Sequence, residues 1–291
     1  MPSTDTTPLD WALFDIAVPR PSDRLPGVSM AGFRYRVPTP TDISMVAHPS
    51  VTLFFDLSEG TGLVYDAQGR PGRGSVVVGL LPGQVRAGVR TGECLQIRLE
   101  PAVAAAVLGA SAELSGTVVS LEDVWGREAG RAEGRLRAAG TWDERFAIAV
   151  DLLGRRLSAR PPVAPEVAHS WRRTLTSRGR MRVEDLADEV GWSRKRLSAR
   201  FRSQLGITPK RAARLVRFDH AAHLLAAGRP AASVATESGY VDQSHLHHEV
   251  KEFTGLTPAA VAAAPWLEVD DVAWPGSSPG ALVAPASAAS A

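Results

Sequence analysis

Two short stretches in the last third of the chain carry side chains that can bind the edges of nucleic-acid bases. The first stretch contains Lys195 and Ser198 among several arginines, and the second contains Gln243 beside a group of histidines. Lysine can donate to guanine O6 and N7, glutamine suits adenine N6 and N7, and serine can bond several base edges. These residue types are compatible with contacts to base edges, and the neighbouring arginines could neutralise phosphates.

The histidines also admit a second interpretation, as metal ligands. His220 and His223 are three residues apart, as are His245 and His248, and this spacing suits two ligands on one face of a helix. Zinc also needs an Asp, Glu or Cys within reach, and His48 is the only histidine before residue 169. We therefore predict no metal and no other cofactor, with zinc as the alternative.

The single cysteine limits the covalent chemistry of the chain. Cys94 excludes an internal disulfide and a multi-cysteine zinc site. As a nucleophile it would need a nearby base, for which only His48 is available in its half of the chain. Because it lies in the apolar segment Cys94–Leu99, we predict a small buried core residue, no catalytic residue and no enzyme activity.

Charge is distributed unevenly along the 291 residues. The formal net charge of the chain is only +2, but residues 171–260 contain 13 Arg and 3 Lys against 9 acidic residues, which is about +7. Residues 1–160 carry about −1. This asymmetry points to an anionic partner for the C-terminal third. The sequence has no apolar run long enough to cross a membrane and no signal-peptide pattern at its start, so we expect a cytoplasmic protein.

An internal repeat supplies the elements that position the base-reading side chains. Leu186, Ala187, Gly191 and Trp192 recur as Val234, Ala235, Gly239 and Tyr240, each 48 residues later, and after the turn the offset becomes 49. Each copy predicts two short helices joined by a tight turn, in which the glycine adopts a positive φ. Lys210–Ala227 predicts a connecting helix about 27 Å long. The two second helices could therefore enter adjacent major-groove segments.

The N-terminal half predicts a different architecture. Short apolar segments such as Val51–Leu57 are separated by Gly and Pro and indicate the strands of a β-sandwich or small barrel. The spacing after Pro101 indicates helices, including Trp142–Ser158. The predicted fold class is α+β: a β-rich, barrel-like sensor domain with a helical segment, then an all-α domain of two helix-turn-helix units. Helix 142–158 is either a dimer surface or packs onto its own domain. The predicted boundaries are 1–160 for the sensor or dimerisation domain, 161–169 for a linker, 170–266 for the helical domain and 267–291 for a disordered tail.

Residues 171–262 resemble the DNA-binding domain of the AraC/XylS family. The second unit carries the family's pattern in Gly239-Tyr-Val-Asp-Gln-Ser-His-Leu246, followed by Val250-Lys251 and Gly255-Leu-Thr-Pro258. The chain departs from the pattern at His248, where arginine is usual, and at Val250, where an aromatic residue is usual. These departures bear on base preference rather than on the fold.

The resemblance implies a role for each exposed position of the two second helices. The positions that match base-contacting ones are Lys195, Ser198, Ala199, Gln243, Ser244, His247 and His248. The positions expected to contact the DNA backbone are Arg194, Arg196, Arg200, Arg202, His245 and Lys251.

The predicted function is a sequence-specific DNA-binding transcription regulator whose activity is modulated by its N-terminal domain. Its expected partners are double-stranded DNA and, for an activator, RNA polymerase, with a small-molecule effector and a homodimer left open. The alternatives are a DNA-repair enzyme fused to a helix-turn-helix domain, against which the single cysteine argues, and a protein-interaction module, which the localised positive charge disfavours.

Overall fold

The computed structural model describes residues 13–274, with the exception of several short segments. Those outside the described residues are 37–40, 46, 59–63, 66–68, 70–71, 73, 82–84, 90, 110–111, 160–162, 264–266 and 268–269.

The N-terminal domain is built on two antiparallel sheets. The strands in the described part of the chain are β1 (Phe14–Ala17), β2 (Val28–Tyr35), β3 (Thr41–Met45), β4 (Val51–Asp56), β5 (Val64–Tyr65), β6 (Val76–Val78), β7 (Val85–Val89), β8 (Gly92–Leu99) and β9 (Val118–Ser120). The larger sheet has the order β1-β2-β8-β4-β6-β9 and the smaller one β3-β7-β5.

The predicted α+β class is confirmed, and of the sandwich and barrel arrangements considered for the strands, the described residues form open sheets. The larger sheet ends at β1 on one side and at β9 on the other, and closure would require these two strands to pair. Among the described residues, the pairing recorded for β1 is with β2, from Phe14 opposite Tyr35 to Ala17 opposite Gly32. The domain is therefore an open two-sheet assembly.

Strand β4 shows why the sheets stack as they do. All six of its residues are buried, so both faces of the strand are covered. Leu53 and Phe55 point into the main core, which the helices also line, whereas Phe54 joins a second core with Val64 and Val85 of the smaller sheet. Alternation along one strand thus places helices on one face of the larger sheet and the smaller sheet on the other.

Four helices complete the N-terminal domain: α1 (Pro101–Leu108), α2 (Leu121–Trp125), α3 (Arg127–Ala138) and α4 (Trp142–Ser158). A capping box of Thr141 and Glu144 starts α4. Its apolar side, with Phe146 and Leu153, is buried against α1 and α3. Of the two roles considered for this helix, the structure shows packing onto its own domain.

The C-terminal part is helical. Its helices are α5 (Pro165–Thr176), α6 (Val183–Glu189), α7 (Arg194–Leu205), α8 (Pro209–Ala226), α9 (Ala231–Glu237), α10 (Gln243–Thr254), α11 (Pro258–Ala262) and α12 (Asp270–Ala273). Helices α6 and α7 form the first repeat unit and α9 and α10 the second, with α8 between them. Among the described residues, no helix is both long and apolar enough to span a membrane.

Two segments differ from the predicted boundaries. Helix α5 begins at Pro165, inside the predicted linker 161–169, because proline is favoured in the first turn of a helix. The predicted disordered tail 267–291 contains α12, after which Trp274 is buried with 3% of its surface exposed. Composition had suggested that this segment has nothing to bury, whereas it packs against the N-terminal domain. Residues 275–291 of the predicted tail lie outside the described residues.

The two domains share an extensive contact. The main core is continuous from the larger sheet through α1 and α4 to the C-terminal helices. At Gly206, which ends α7 with a φ of 78°, a Cβ atom would lie 2.5 Å from the carbonyl oxygen of Ala112. A real Cβ does not approach an oxygen this closely, so the domain contact at this point requires glycine.

Candidate nucleic-acid interface

The first unit fixes α7 by local rules. Gly191, with a φ of 64°, reverses the chain after α6, and the Ser193 hydroxyl accepts a hydrogen bond from the backbone N–H of Arg196 at 3.2 Å. Leu197, Phe201 and Leu205 are buried along one side of α7. The opposite side is consequently left facing outward.

The outward side of α7 carries the predicted contacts of the first unit. Lys195 and Ala199 are exposed and Ser198 is half-buried. The four arginines predicted to contact the DNA backbone are also exposed: Arg194, Arg196, Arg200 and Arg202. The structure therefore brings all seven predicted residues of this unit to one accessible helix.

Two of these arginines have partners within the protein. Arg194 donates to Glu184 of α6 at 2.7 Å, and the Arg196 guanidinium lies 4.5 Å from the ring centroid of Trp192. Both contacts join α7 to the rest of the first helix-turn-helix unit. An exposed ion pair of this kind contributes little to stability, so a phosphate can compete for the Arg194 side chain.

The second unit repeats this arrangement with different side chains. The Asp242 carboxylate accepts a hydrogen bond from the backbone N–H of His245 at 2.8 Å and so starts α10. Leu246, Val250 and Phe253 are buried. The accessible predicted contacts are Gln243, Ser244, His247, His248 and Lys251, all of them exposed.

His245 is placed differently from the other predicted contacts of α10. Its ring is half-buried and meets the ring of Tyr240 edge to face at a centroid distance of 5.2 Å. Tyr240 is itself buried, with 5% of its surface exposed. The imidazole of His245 thus packs against the turn while the start of its helix faces outward.

Within the described part of the chain, no three His, Cys, Asp or Glu side chains form a group that could hold a metal ion. The i, i+3 histidine pairs have other contacts: His220 Nε2 lies 3.3 Å from Arg178, and His223 hydrogen-bonds Asp270 and the carbonyl of Asp219. The zinc alternative finds no support in these contacts.

A buried polar network that the sequence did not predict holds α10 on α8. The Glu249 carboxylate, with 1% of its side chain exposed, accepts from Arg214 Nε at 2.8 Å and from the Tyr240 hydroxyl at 2.9 Å. Arg217 Nη2 lies 3.3 Å from the same carboxylate. The available signal was a charged residue three positions after Leu246, on the side of α10 predicted to be buried.

Val241 lies in the turn before α10 and was not among the predicted contacts. It is 88% exposed, which is unusual for a large apolar side chain. A valine methyl beside Gln243 could contact the methyl group of thymine.

Residues 186–264 match the family model of a helix-turn-helix domain. The C-terminal region is an AraC-type helix-turn-helix domain. This domain includes both repeat units and α8, and the resemblance found in the sequence is confirmed. No curated protein matches the sequence.

Several solved structures are similar to the chain. ToxT from Vibrio cholerae is 11% identical over 82% of this chain and 98% of its own, with a TM-score of 0.45. The C-terminal domain of AraT, a response regulator from Geobacillus stearothermophilus, is 23% identical over 34% of this chain and 85% of its own, with a TM-score of 0.33. The xylose-binding transcription activator XylR is 19% identical over 42% and 39%, with a TM-score of 0.31.

Proposed function

We propose that this protein is a sequence-specific DNA-binding transcription regulator in which α7 and α10 enter adjacent major-groove segments of one DNA site. The observation that carries the proposal is the pair of helix-turn-helix units, each with an accessible second helix, joined by the continuous helix α8. Eighteen helical residues span about 27 Å, which approaches the roughly 34 Å between successive major-groove faces.

The two helices offer different base-reading chemistry. Helix α7 presents Lys195 with the small residues Ser198 and Ala199, which suits guanine and a thymine methyl group. Helix α10 presents Gln243 and Ser244 with two histidines, which suits adenine and mixed edges. We therefore expect an asymmetric DNA site whose two halves differ in sequence.

Regulation by the N-terminal domain is part of the proposal. A cavity between the two sheets is lined by apolar side chains such as Met45 and Val85 and by polar ones such as Thr52, Gln96 and Arg98. Apolar and polar side chains contribute about equally to this lining, and the polar ones could orient a small molecule. The cavity is our candidate for an effector site. Three further points remain predictions: binding of RNA polymerase if the protein is an activator, association with a second copy of the chain, and a cytoplasmic location.

Catalysis by Cys94 has no support in the structure. The thiol is buried, and this burial raises its pKa to about 12, so the nucleophilic thiolate is scarce near neutral pH. A repair enzyme acting through this cysteine is therefore disfavoured relative to a regulator.

A mobility-shift titration on the DNA upstream of the protein's own coding sequence, repeated over a series of salt concentrations, tests the proposal. Lys195→Ala and Gln243→Ala should each weaken specific binding by roughly 1–3 kcal/mol and leave binding to random DNA nearly unchanged. Arg131→Ala, which removes an exposed positive charge from α3, is the matched control and should leave both affinities unchanged. No binding at low salt, or equal affinity of all three variants and the parent protein, would refute the proposal.

A further inference from the structure

The segment that follows the helix-turn-helix domain is packed between the two domains. Asp270 and Trp274 are 7% and 3% exposed, and Ala273 is fully buried, whereas Val272 on the same helical turn is 59% exposed. The segment therefore has an inner and an outer side, although it is only five residues long.

Trp274 anchors the segment to the N-terminal domain. Its ring lies 6.4 Å from that of Phe33 on β2 by centroid distance, and the Arg98 guanidinium of β8 lies 4.1 Å from its centroid. Val18, Met30 and Ala273 line the same pocket. Burial of a large aromatic side chain and a cation–π contact both favour the docked segment.

Asp270 bridges the two domains with one carboxylate. Its Oδ1 accepts from Arg98 Nη2 of β8 at 2.9 Å, and its Oδ2 lies 2.9 Å from His223 Nε2 of α8. Arg98 belongs to the N-terminal domain, and α8 is the helix that joins the two helix-turn-helix units. The same carboxylate thus holds both domains.

The hydrogen bonds of His223 require a charged imidazole. Its Nδ1 lies 2.8 Å from the carbonyl oxygen of Asp219, which can only accept, so Nδ1 donates. Its Nε2 faces the Asp270 carboxylate, also an acceptor, so both nitrogens carry protons. Two further titratable groups face this site, the Asp219 carboxyl and His48, whose Nε2 lies 3.8 Å from Asp219 Oδ1.

We propose that residues 270–274 form an intramolecular strap. Trp274 of the strap packs on the N-terminal sheet, and Asp270 of the strap binds Arg98 of that sheet and His223 of α8. The strap thereby fixes the orientation of both helix-turn-helix units relative to the N-terminal domain. The strap adds a polar and aromatic contact to the core that the two domains share, and it is separate from the chain that enters α5. Arg98 also lines the cavity between the sheets, so the strap joins that cavity to α8. The proposal concerns domain orientation and does not rest on DNA binding.

Distances between two spin labels, one on each domain of the full-length chain, test the strap. Asp123→Cys on α2 and Ser233→Cys on α9 place the labels at exposed positions, and the native Cys94 is buried and resists labelling. We expect one narrow distance distribution in the parent protein. Asp270→Asn, which preserves shape and removes the charge, and Trp274→Ala should each broaden the distribution and shift its centre.

Val272→Ala is the matched control, since it changes an exposed side chain in the same helical turn and should leave the distribution unchanged. Circular dichroism establishes that each variant is folded. If Trp274→Ala does not fold, Asp270→Asn alone decides, because it is nearly isosteric. A folded Asp270→Asn variant with the parent's narrow distribution would overturn the proposal, whatever the DNA-binding measurements give.

Discussion

At the residue scale, the second recognition helix depends on a single buried carboxylate. Glu249 joins α10 to Arg214 and Arg217 of α8 and to Tyr240 of the preceding turn. In the proposed complex, the position of α10 on α8 decides where Gln243 and Ser244 would meet DNA. Glu249, which is buried, would therefore position side chains that are exposed.

Replacing Glu249 by alanine should destabilise the protein by about 3 kcal/mol, because the arginines lose a buried partner and the Tyr240 hydroxyl loses its acceptor. Urea unfolding at neutral pH measures this change. Glu252→Gln is the control: Glu252 also binds Arg214 but is 45% exposed, so the loss should stay below about 1 kcal/mol. Equal losses for the two variants would contradict the role given to Glu249.

His223 predicts a pH dependence of stability. Burial alone would lower the pKa of His223, but the hydrogen bond with Asp270 and the charge of Asp219 raise it to about 9. A histidine whose pKa is higher in the folded state adds stability that is complete below its ordinary pKa of about 6.5 and is lost as pH rises through 9. The pH-dependent part is on the order of 3 kcal/mol.

Urea unfolding of the parent protein and of His223→Gln between pH 6 and pH 10 measures this contribution. The difference between their free energies of unfolding should shrink as pH rises through 9. Burial raises the pKa of Asp219 to about 6, at the acid end of this range, and lowers the pKa of His48, so a change centred near pH 9 belongs to His223. A difference that stays constant with pH would contradict a charged His223.

At the element scale, the ends of α6 and α7 look alike but differ in what surrounds them. Gly191 and Gly206 both have positive φ, as helix ends of this type require. Around Gly191 a Cβ would meet nothing within 4 Å, whereas at Gly206 it would meet the backbone of Ala112 in the other domain. Gly191 is therefore needed only for the positive φ of its turn, whereas Gly206 is also needed for the close contact with the other domain.

Alanine at each of these two positions separates the two effects. Gly191→Ala should cost about 1 kcal/mol, the strain of a positive φ. Gly206→Ala should cost about 1–3 kcal/mol more, because the backbone of Ala112 must also move. Free energies of unfolding from urea titrations provide the comparison, and equal losses would show that the domain contact tolerates a side chain.

At the scale of the whole molecule, the proposed function makes α8 the element that sets the spacing of the DNA site. Because a continuous helix cannot stretch, we expect α7 and α10 to reach two half-sites at one separation only. Inserting about 5 base pairs between the half-sites turns one to the opposite side of the duplex, and inserting about 10 moves it a full turn away. Both insertions should weaken binding at least about tenfold, because one of the two helices would lose its base contacts.

Mobility shifts on the unaltered DNA site and on the two sites with insertions measure this spacing requirement. The insertion of about 10 base pairs is the informative one, because two units on a flexible connection would tolerate a full helical turn. Restored affinity with that insertion would show that α7 and α10 do not act as one rigid pair.

Local patterns predicted most of the helix-turn-helix domain and little of how the domains meet. The repeat, the positive φ of Gly191 and Gly239, and the burial of Leu197 and Phe201 follow from spacing within about twenty residues, and all are present. The contact of Asp270 with Arg98 joins residues 172 positions apart, and no local rule connects them. The choice between a sandwich and a barrel stayed open for the same reason, since strand pairing is also long-range.

The position of Arg98 would couple the affinity for a compound in the cavity to the affinity for DNA. One guanidinium lines the cavity between the sheets and holds the carboxylate of Asp270. A compound in that cavity that draws Arg98 away from Asp270 would favour separated domains. By reciprocity, DNA that favours the joined arrangement would weaken the affinity of the compound by the same factor by which the compound weakens DNA binding. Occupancy of the operator could then be read from the N-terminal domain alone.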